Sequence, residues 1–225
     1  MSLTRRAALV GLAGSLAVPH LSRAAETGQR SFRVFRGDDD IGYQTNKVTR
    51  VGDTVTHEVE AELKVKILGI TAYRYELAYT EEWKGGFLTR LDSVCNDDGT
   101  DEFAKVRRAG GKLEIDGSGH QGAIEGTAAT TSYWAYPFLQ RSTWISTQTG
   151  APLTMTASQR GAEAIRTGAG SAEAEKWSMT GGYEVDLYFQ NQEWVAVGFA
   201  AGDERAWYVP DDVAPAFMPV WNASL

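Results

Sequence analysis

The chain has 225 residues, with 29 acidic against 22 basic side chains, a formal net charge of −7 and 43% hydrophobic residues. That acidic balance repels phosphate backbones and anionic lipid head groups, which argues against nucleic acid and the anionic membrane surface as partners. A single cysteine, Cys95, excludes an intrachain disulfide, so stability rests on a hydrophobic core that a chain of this length can supply.

The chain opens with Thr4-Arg5-Arg6-Ala7-Ala8-Leu9, an apolar run from Ala7 to Val18, and a small-residue end at Ser22-Arg23-Ala24-Ala25. The Arg5-Arg6 pair resembles a twin-arginine export signal, of the kind read by the Tat machinery, which passes folded proteins. The apolar run is roughly a dozen residues, where a membrane-spanning helix needs about 20, so it reads as a removable segment and not an anchor. Ser22 and Ala24 suit signal peptidase and place cleavage between Ala24 and Ala25. Arg23 favours the Tat route over general secretion, and an ordinary secretion signal containing a chance Arg-Arg is the competing reading. The expected product is residues 25–225, periplasmic or secreted and not membrane-embedded. Loss of Arg5, Arg6 and Arg23 takes the net charge to −10.

Period-2 alternation dominates the mature chain. From Thr54 to Ile67 the odd positions are Val55, His57, Val59, Ala61, Leu63, Val65 and Ile67, and the even ones are threonine, glutamate or lysine. One apolar face and one charged face define a half-buried strand; at a helical period the apolar residues would be smeared around the axis. Ile70–Trp83 places Tyr73, Tyr75, Leu77, Tyr79 and Trp83 on one parity. Glycine turns at Gly85-Gly86, Asp98-Gly99 and Gly110-Gly111 separate further strands at Phe87–Cys95, Phe103–Arg108 and Lys112–Asp116. Later strands are expected at Glu173–Met179, Tyr183–Phe189, Trp194–Ala200 and Arg205–Val209. Strands so closely joined form an antiparallel meander. The two strands of about 14 residues exceed the usual 3–10, and long twisted strands curl into a barrel or half-barrel. The predicted fold is all-β, a single domain, with an irregular loop and short-helix plug. A transmembrane barrel is the minor alternative.

Gly117–Thr131 breaks the pattern with about 15 residues rich in Gly, Ala and Thr, and reads as a long loop able to act as a lid. It runs into the aromatic stretch Tyr133-Trp134-Ala135-Tyr136-Pro137-Phe138, expected to hold a short helix from near Ser132 and to plug the sheet. A solvent-exposed crossover with an aromatic anchor is the other reading.

No catalytic signature emerges. Gly117-Ser118-Gly119-His120-Gln121-Gly122 matches G-x-G-x-x-G, but no helix can follow in the Ala/Thr/Gly-rich continuation and no second parallel strand ends in an acidic residue, so the glycines read as loop glycines. Beyond His20 in the leader only His57 and His120 remain, too few for a three-histidine zinc site, and no metal or cofactor is expected. No G-x-S-x-G sits on a strand–turn–helix frame. The acidic clusters Asp38-Asp39-Asp40 and Asn96–Glu102 lack calcium-loop spacing and read as turns. Cys95, on the parity of Phe87 and Leu91, reads as buried and inert. His57 interrupts an apolar face, either as a hydrogen-bonded core residue or as the polar tip of a ligand pocket. With Tyr73, Tyr75, Trp83, His120, Tyr133 and Trp134 it forms the candidate ligand-binding set.

The order of several landmarks resembles an uncharacterised family of exported bacterial all-β proteins carrying a domain of unknown function. These are Ile41-Gly42, Lys64–Ile70, Tyr73-Arg74-Tyr75, Glu82-Trp83, Asp97-Asp98-Gly99, Thr131–Trp134, Thr147–Gly150 and Trp194-Val195. Tyr188-Phe189 departs mildly from the family's Trp-Tyr. The resemblance implies no catalytic residues. Its general shape is similar to the half-barrels of periplasmic lipoprotein carriers, and such a likeness does not imply function. The leading expectation is therefore a non-catalytic binding or carrier module for an apolar or amphipathic small molecule. The rivals are an enzyme using His57 or His120 as general acid or base, and a structural or interaction domain with a filled core.

Overall fold

Two long strands set the frame: Thr54 lies opposite Lys84 and Leu63 opposite Tyr75, so the alternating faces of Thr54–Ile67 and Ile70–Lys84 coincide from Thr54 as far as Val65. The structure is a computed structural model and describes residues 25–67 and 70–222. The expected leader, with Arg5, Arg6 and Ala24, lies outside the described residues.

Fifteen strands build one sheet. They are β1 (Glu26–Arg36), β2 (Asp39–Val51), β3 (Thr54–Ile67), β4 (Ile70–Lys84), β5 (Phe87–Asp97), β6 (Thr100–Ala109), β7 (Lys112–Gly117), β8 (Gln121–Glu125), β9 (Ala129–Thr130), β10 (Thr143–Ile145), β11 (Pro152–Thr167), β12 (Gly170–Gly181), β13 (Val185–Gln190), β14 (Glu193–Ala201) and β15 (Glu204–Pro210). Their order across the sheet is 8-7-6-5-4-3-2-1-15-14-13-12-11-10-9. Apart from the parallel β9–β10 pair, neighbours run antiparallel. The two edges, β8 and β9, are joined by residues 126–128 alone. Chain geometry therefore brings Glu125 and Ala129 within about 14 Å of each other. The sheet curls almost into a barrel without closing by hydrogen bonds. Bulges at Ala72 in β4, opposite Val65/Lys66, and at Thr89 in β5, opposite Glu82/Trp83, sharpen that curl.

The predicted meander is present, with β4 to β7 joined by the glycine turns read from the sequence. Two stretches differ. Gly117–Thr131 is not a free lid. Its first half is the β7–β8 hairpin, Asp116 opposite Gln121 and Lys112 opposite Glu125. In the turn, the Gly117 amide donates to His120 O at 2.9 Å. In β8 only Ile124 is even partly buried, so the strand has no apolar face and forms through backbone pairing alone. The loop glycines have a packing reason: a Cβ on Gly117 would lie 2.4 Å from Thr149 O, and Gly119 donates its amide to that same oxygen. The second difference is β11, a 16-residue strand paired to β12 but exposed along most of its length, which leaves no alternation to read.

The plug is real and has two parts. A 3₁₀ helix at Tyr136–Gln140, with Pro137 in its first turn, and a terminal helix α1 (Met218–Asn222) enter one end of the curl. There Trp83, Trp134, Phe138, Trp144 and Trp221 are exposed by 1% or less. The Trp83 and Phe138 rings lie 4.5 Å apart and those of Trp134 and Trp221 5.2 Å, in the tilted and edge-on arrangements that aromatic quadrupoles favour. α1 is held by a buried ion pair. Glu193 accepts the Phe217 and Met218 amides at 3.0 and 2.7 Å, while Arg30 lies 3.9 Å from Glu193 and donates to the carbonyls of Trp194 and Ala214.

Candidate functional site

Inward-facing residues of β4 descend from an open end of the curl to the filled one. Tyr73, Tyr75, Leu77 and Tyr79 line open space, whereas Glu81 and Trp83, further along the same face, are sealed beneath the plug. Tyr73 and Trp83 are about 33 Å apart along an extended strand, so one face serves both ends.

The open end holds two adjoining clefts. One, of about 480 Å³, is walled by Tyr75, Leu77, Tyr133, Trp194, Val197, Phe199 and Tyr208, with Gln44, Ser132 and Glu184 as polar members. The other, of about 640 Å³, is walled by Ile41, Leu63, Val65, Tyr73, Ala206 and Asp97. Tyr75, Gln148, Phe199 and Tyr208 line both and form the partition. These volumes fall in the range of small-molecule pockets, and the composition, apolar walls with a few polar groups, is the usual one. Burial pushes Tyr75, Tyr79 and Tyr133 well above the ordinary phenol range and Tyr208 up to about 12, so their hydroxyls stay protonated and act as donors.

At the partition a polar rim is assembled. Tyr73 donates to Asp97 Oδ1 at 2.8 Å, and the Gln148 amide donates to Asp97 Oδ2 at 3.1 Å and to Glu102 at 2.5 Å. Tyr75 donates to Gln148 Oε1 at 3.4 Å. Deeper in, Tyr133 and Tyr183 share a hydroxyl–hydroxyl hydrogen bond.

Under the first cleft lies a fully buried polar network. Glu81 Oε2 accepts from Trp83 Nε1 at 3.0 Å, Ser132 Oγ at 3.2 Å and Trp134 Nε1 at 3.3 Å, and stands 3.6 Å from His57 Nδ1. His57 Nε2 meets Asn46 Oδ1 at 3.2 Å, and Gln44 donates to that oxygen at 3.1 Å. Glu81 thus ties the wall of β4 to the plug segment, while Gln44 and Ser132 reach the cleft floor. Ser132 donates to Glu81 and to no imidazole among the described residues, so it is not the head of a Ser–His pair.

The candidate residues divide accordingly. Tyr75 and Tyr133 come together on the first cleft, and Tyr73 lines the second. His57, Trp83 and Trp134 do not reach the cleft surface: His57 and Trp134 are 0% exposed and Trp83 1%, because the plug seals that part of the shared face. His120 sits in the β7–β8 turn and lines neither cleft. Sequence reasoning missed Trp194, Phe199, Tyr208 and Gln148 as cleft residues, and Glu81 as the centre of the network. The signal for Glu81 was present, a carboxyl group on the inward parity between Tyr79 and Trp83.

Residues 32–211 match the family described as a domain of unknown function, DUF6134, and the chain belongs to it. This agrees with the resemblance to an uncharacterised all-β family read from the motifs. No curated protein matches the chain. Among solved structures it is similar to a beta-barrel-like protein of domain of unknown function DUF1849 from Brucella abortus. The TM-score is 0.57 at 8% identity, over 82% of this chain and 94% of that one. At that identity the likeness shows the fold alone.

Proposed function

We propose that this member of the DUF6134 family is a non-catalytic binding or carrier module for an apolar or amphipathic small molecule. In the same proposal the Arg5-Arg6 leader exports it through the Tat machinery and signal peptidase releases it after Ala24 into the periplasm or beyond. One observation carries the binding role. The interior is filled with buried aromatics at one end, yet the other end keeps two joined clefts walled by Tyr75, Phe199 and Tyr208. An interior that served packing alone would not leave Tyr75, Phe199 and Tyr208 beside such a volume, because unfilled space forfeits both transfer and dispersion energy.

Titration with N-phenyl-1-naphthylamine, whose fluorescence rises in apolar surroundings, tests this. Saturable binding in the micromolar range is expected, weakened by about tenfold or more in Leu77→Trp, whose indole occupies cleft volume, at a stability cost of about 1–3 kcal/mol that leaves the near-UV circular dichroism of the folded protein in place. Absence of saturation up to about 100 µM dye, or equal affinity in the variant, would overturn the reading.

A further inference from the structure

We propose that the ligand of this cleft is a cationic amphiphile, its apolar body against Tyr75, Phe199 and Tyr208 and its positive head at Asp97 and Glu102. The inference rests on the binding reading above and adds the charge of the ligand to it.

Asp97 and Glu102 both accept hydrogen bonds from the same Gln148 amide nitrogen, at 3.1 and 2.5 Å, which holds the two acidic groups close together. Neither has a basic partner within ion-pair distance among the described residues. Their other contact is a phenol: Tyr73 donates to Asp97. Gln148 lines both clefts and Asp97 the second, while Glu102 lines neither and is tied to the mouth through the Gln148 amide. Glu184 adds a third carboxyl group to the first cleft. Among the described residues the only arginine lining either cleft, Arg36, is bound by Asp203 and Glu204 and donates to Ala201 O at 3.1 Å. Lys64 and Lys66 line neither cleft but a groove that adjoins the second through Arg36, Ile41 and Val65; Lys64 is held there by Glu62, and Asp39 and Asp40 line the same groove.

The rim at Asp97 and Glu102 therefore presents two acidic groups that no cation pairs among the described residues. Cys95 neighbours this rim; burial pushes its thiol up to about 11, a hydrogen bond with Tyr75 works against that rise, and Asp97 and Glu102 add to it. An anionic head would face two acidic groups with no cation to offset them. A neutral polyol would hydrogen bond but leave the charges unpaired. An ammonium or guanidinium head satisfies both, and the faces of Tyr75 and Tyr208 add cation–π attraction to a head that loses water there.

The test is a matched series on the mature chain: dodecyltrimethylammonium, dodecyl maltoside and dodecyl sulfate, each well below its micelle concentration, followed by tryptophan fluorescence through Trp194 in the cleft wall. The ammonium compound is expected to bind about tenfold or more tighter than the maltoside, and the sulfate weakest. In Asp97→Asn/Glu102→Gln the first two should come within about twofold while maltoside affinity holds, which also shows that the variant is folded. The outer-surface pair Glu60→Gln/Glu114→Gln, with the same change in net charge, should keep the full preference. Maltoside or sulfate binding as tightly as the ammonium compound, or a preference lost equally in the outer-surface pair, would overturn the cationic head and leave the cleft as a ligand site. Failure of all three probes to bind would overturn the binding reading itself.

Discussion

Removing the Glu81 acceptor should unfasten the plug from the barrel wall. In Glu81→Ala the indole nitrogens of Trp83 and Trp134 lose the carboxylate they reach at 3.0 and 3.3 Å, whereas Ser132 keeps Thr130 at 2.7 Å. Each buried donor left unmade costs about 1–3 kcal/mol, and deletion of the side chain adds a small cavity, while water entering from the cleft floor offsets part of the loss. The expected destabilisation is about 3–5 kcal/mol, or roughly 10 °C in melting temperature for a chain of this size. Glu81→Gln keeps one acceptor oxygen in place but sets an amide where Oε1 is buried without a partner, and should cost about 1–2 kcal/mol. Urea unfolding followed by near-UV circular dichroism, which reports the packed tryptophans, measures both. A loss below about 1 kcal/mol in the alanine variant, or equal losses in the two, would refute the role of Glu81 as the acceptor that anchors the plug.

Arg30→Met leaves Glu193 buried without its cation; breaking such a pair costs about 3–5 kcal/mol in equilibrium unfolding, and a loss within about 0.5 kcal/mol would contradict the pairing. Gly28→Ala sets a Cβ 1.7 Å from Ala216 O, a backbone atom, so the segment leading into α1 must move. Faster proteolysis after residue 210 and a loss of about 1–3 kcal/mol are expected, and wild-type resistance would count against that close approach. Burial holds the Cys95 thiol up at about 11 against an ordinary 9.0, so the folded state favours the protonated form. That contribution is complete below pH 9 and is lost as the pH rises towards 11. Native protein should accordingly resist a thiol-specific disulfide reagent at pH 8 until unfolded, and rapid labelling would contradict the buried placement.

The strands were legible wherever one face is buried and the other wet. β3 and β4 repeat that pattern over more than a dozen residues, and their register follows from it. β8 and β11 were not, because most of their side chains meet solvent on both faces and only backbone pairing defines them. Parity located the interior but not the depth within it. Tyr75 and Trp83 share one face of one strand, yet the first lines open space and the second lies beneath the plug. What separates them is packing by Trp134, Phe138 and Trp221, residues distant in sequence whose insertion no local pattern announces. The same limit misplaced His57: an imidazole on an apolar face suits a pocket or a core, and Asn46, Glu81 and the plug decide for the core. Trp194, Phe199 and Tyr208 reach the cleft only because β15 returns to pair with β1 and carries β14 on its other side.

A native mass spectrum of the protein expressed with its own leader, set beside a denatured one, tests the binding role most directly. A ligand held in the cleft gives a folded species heavier than the polypeptide, the excess lost on denaturation and absent from Leu77→Trp. A bare polypeptide mass in both conditions, together with no mass gained after incubation with dodecyltrimethylammonium, would contradict it.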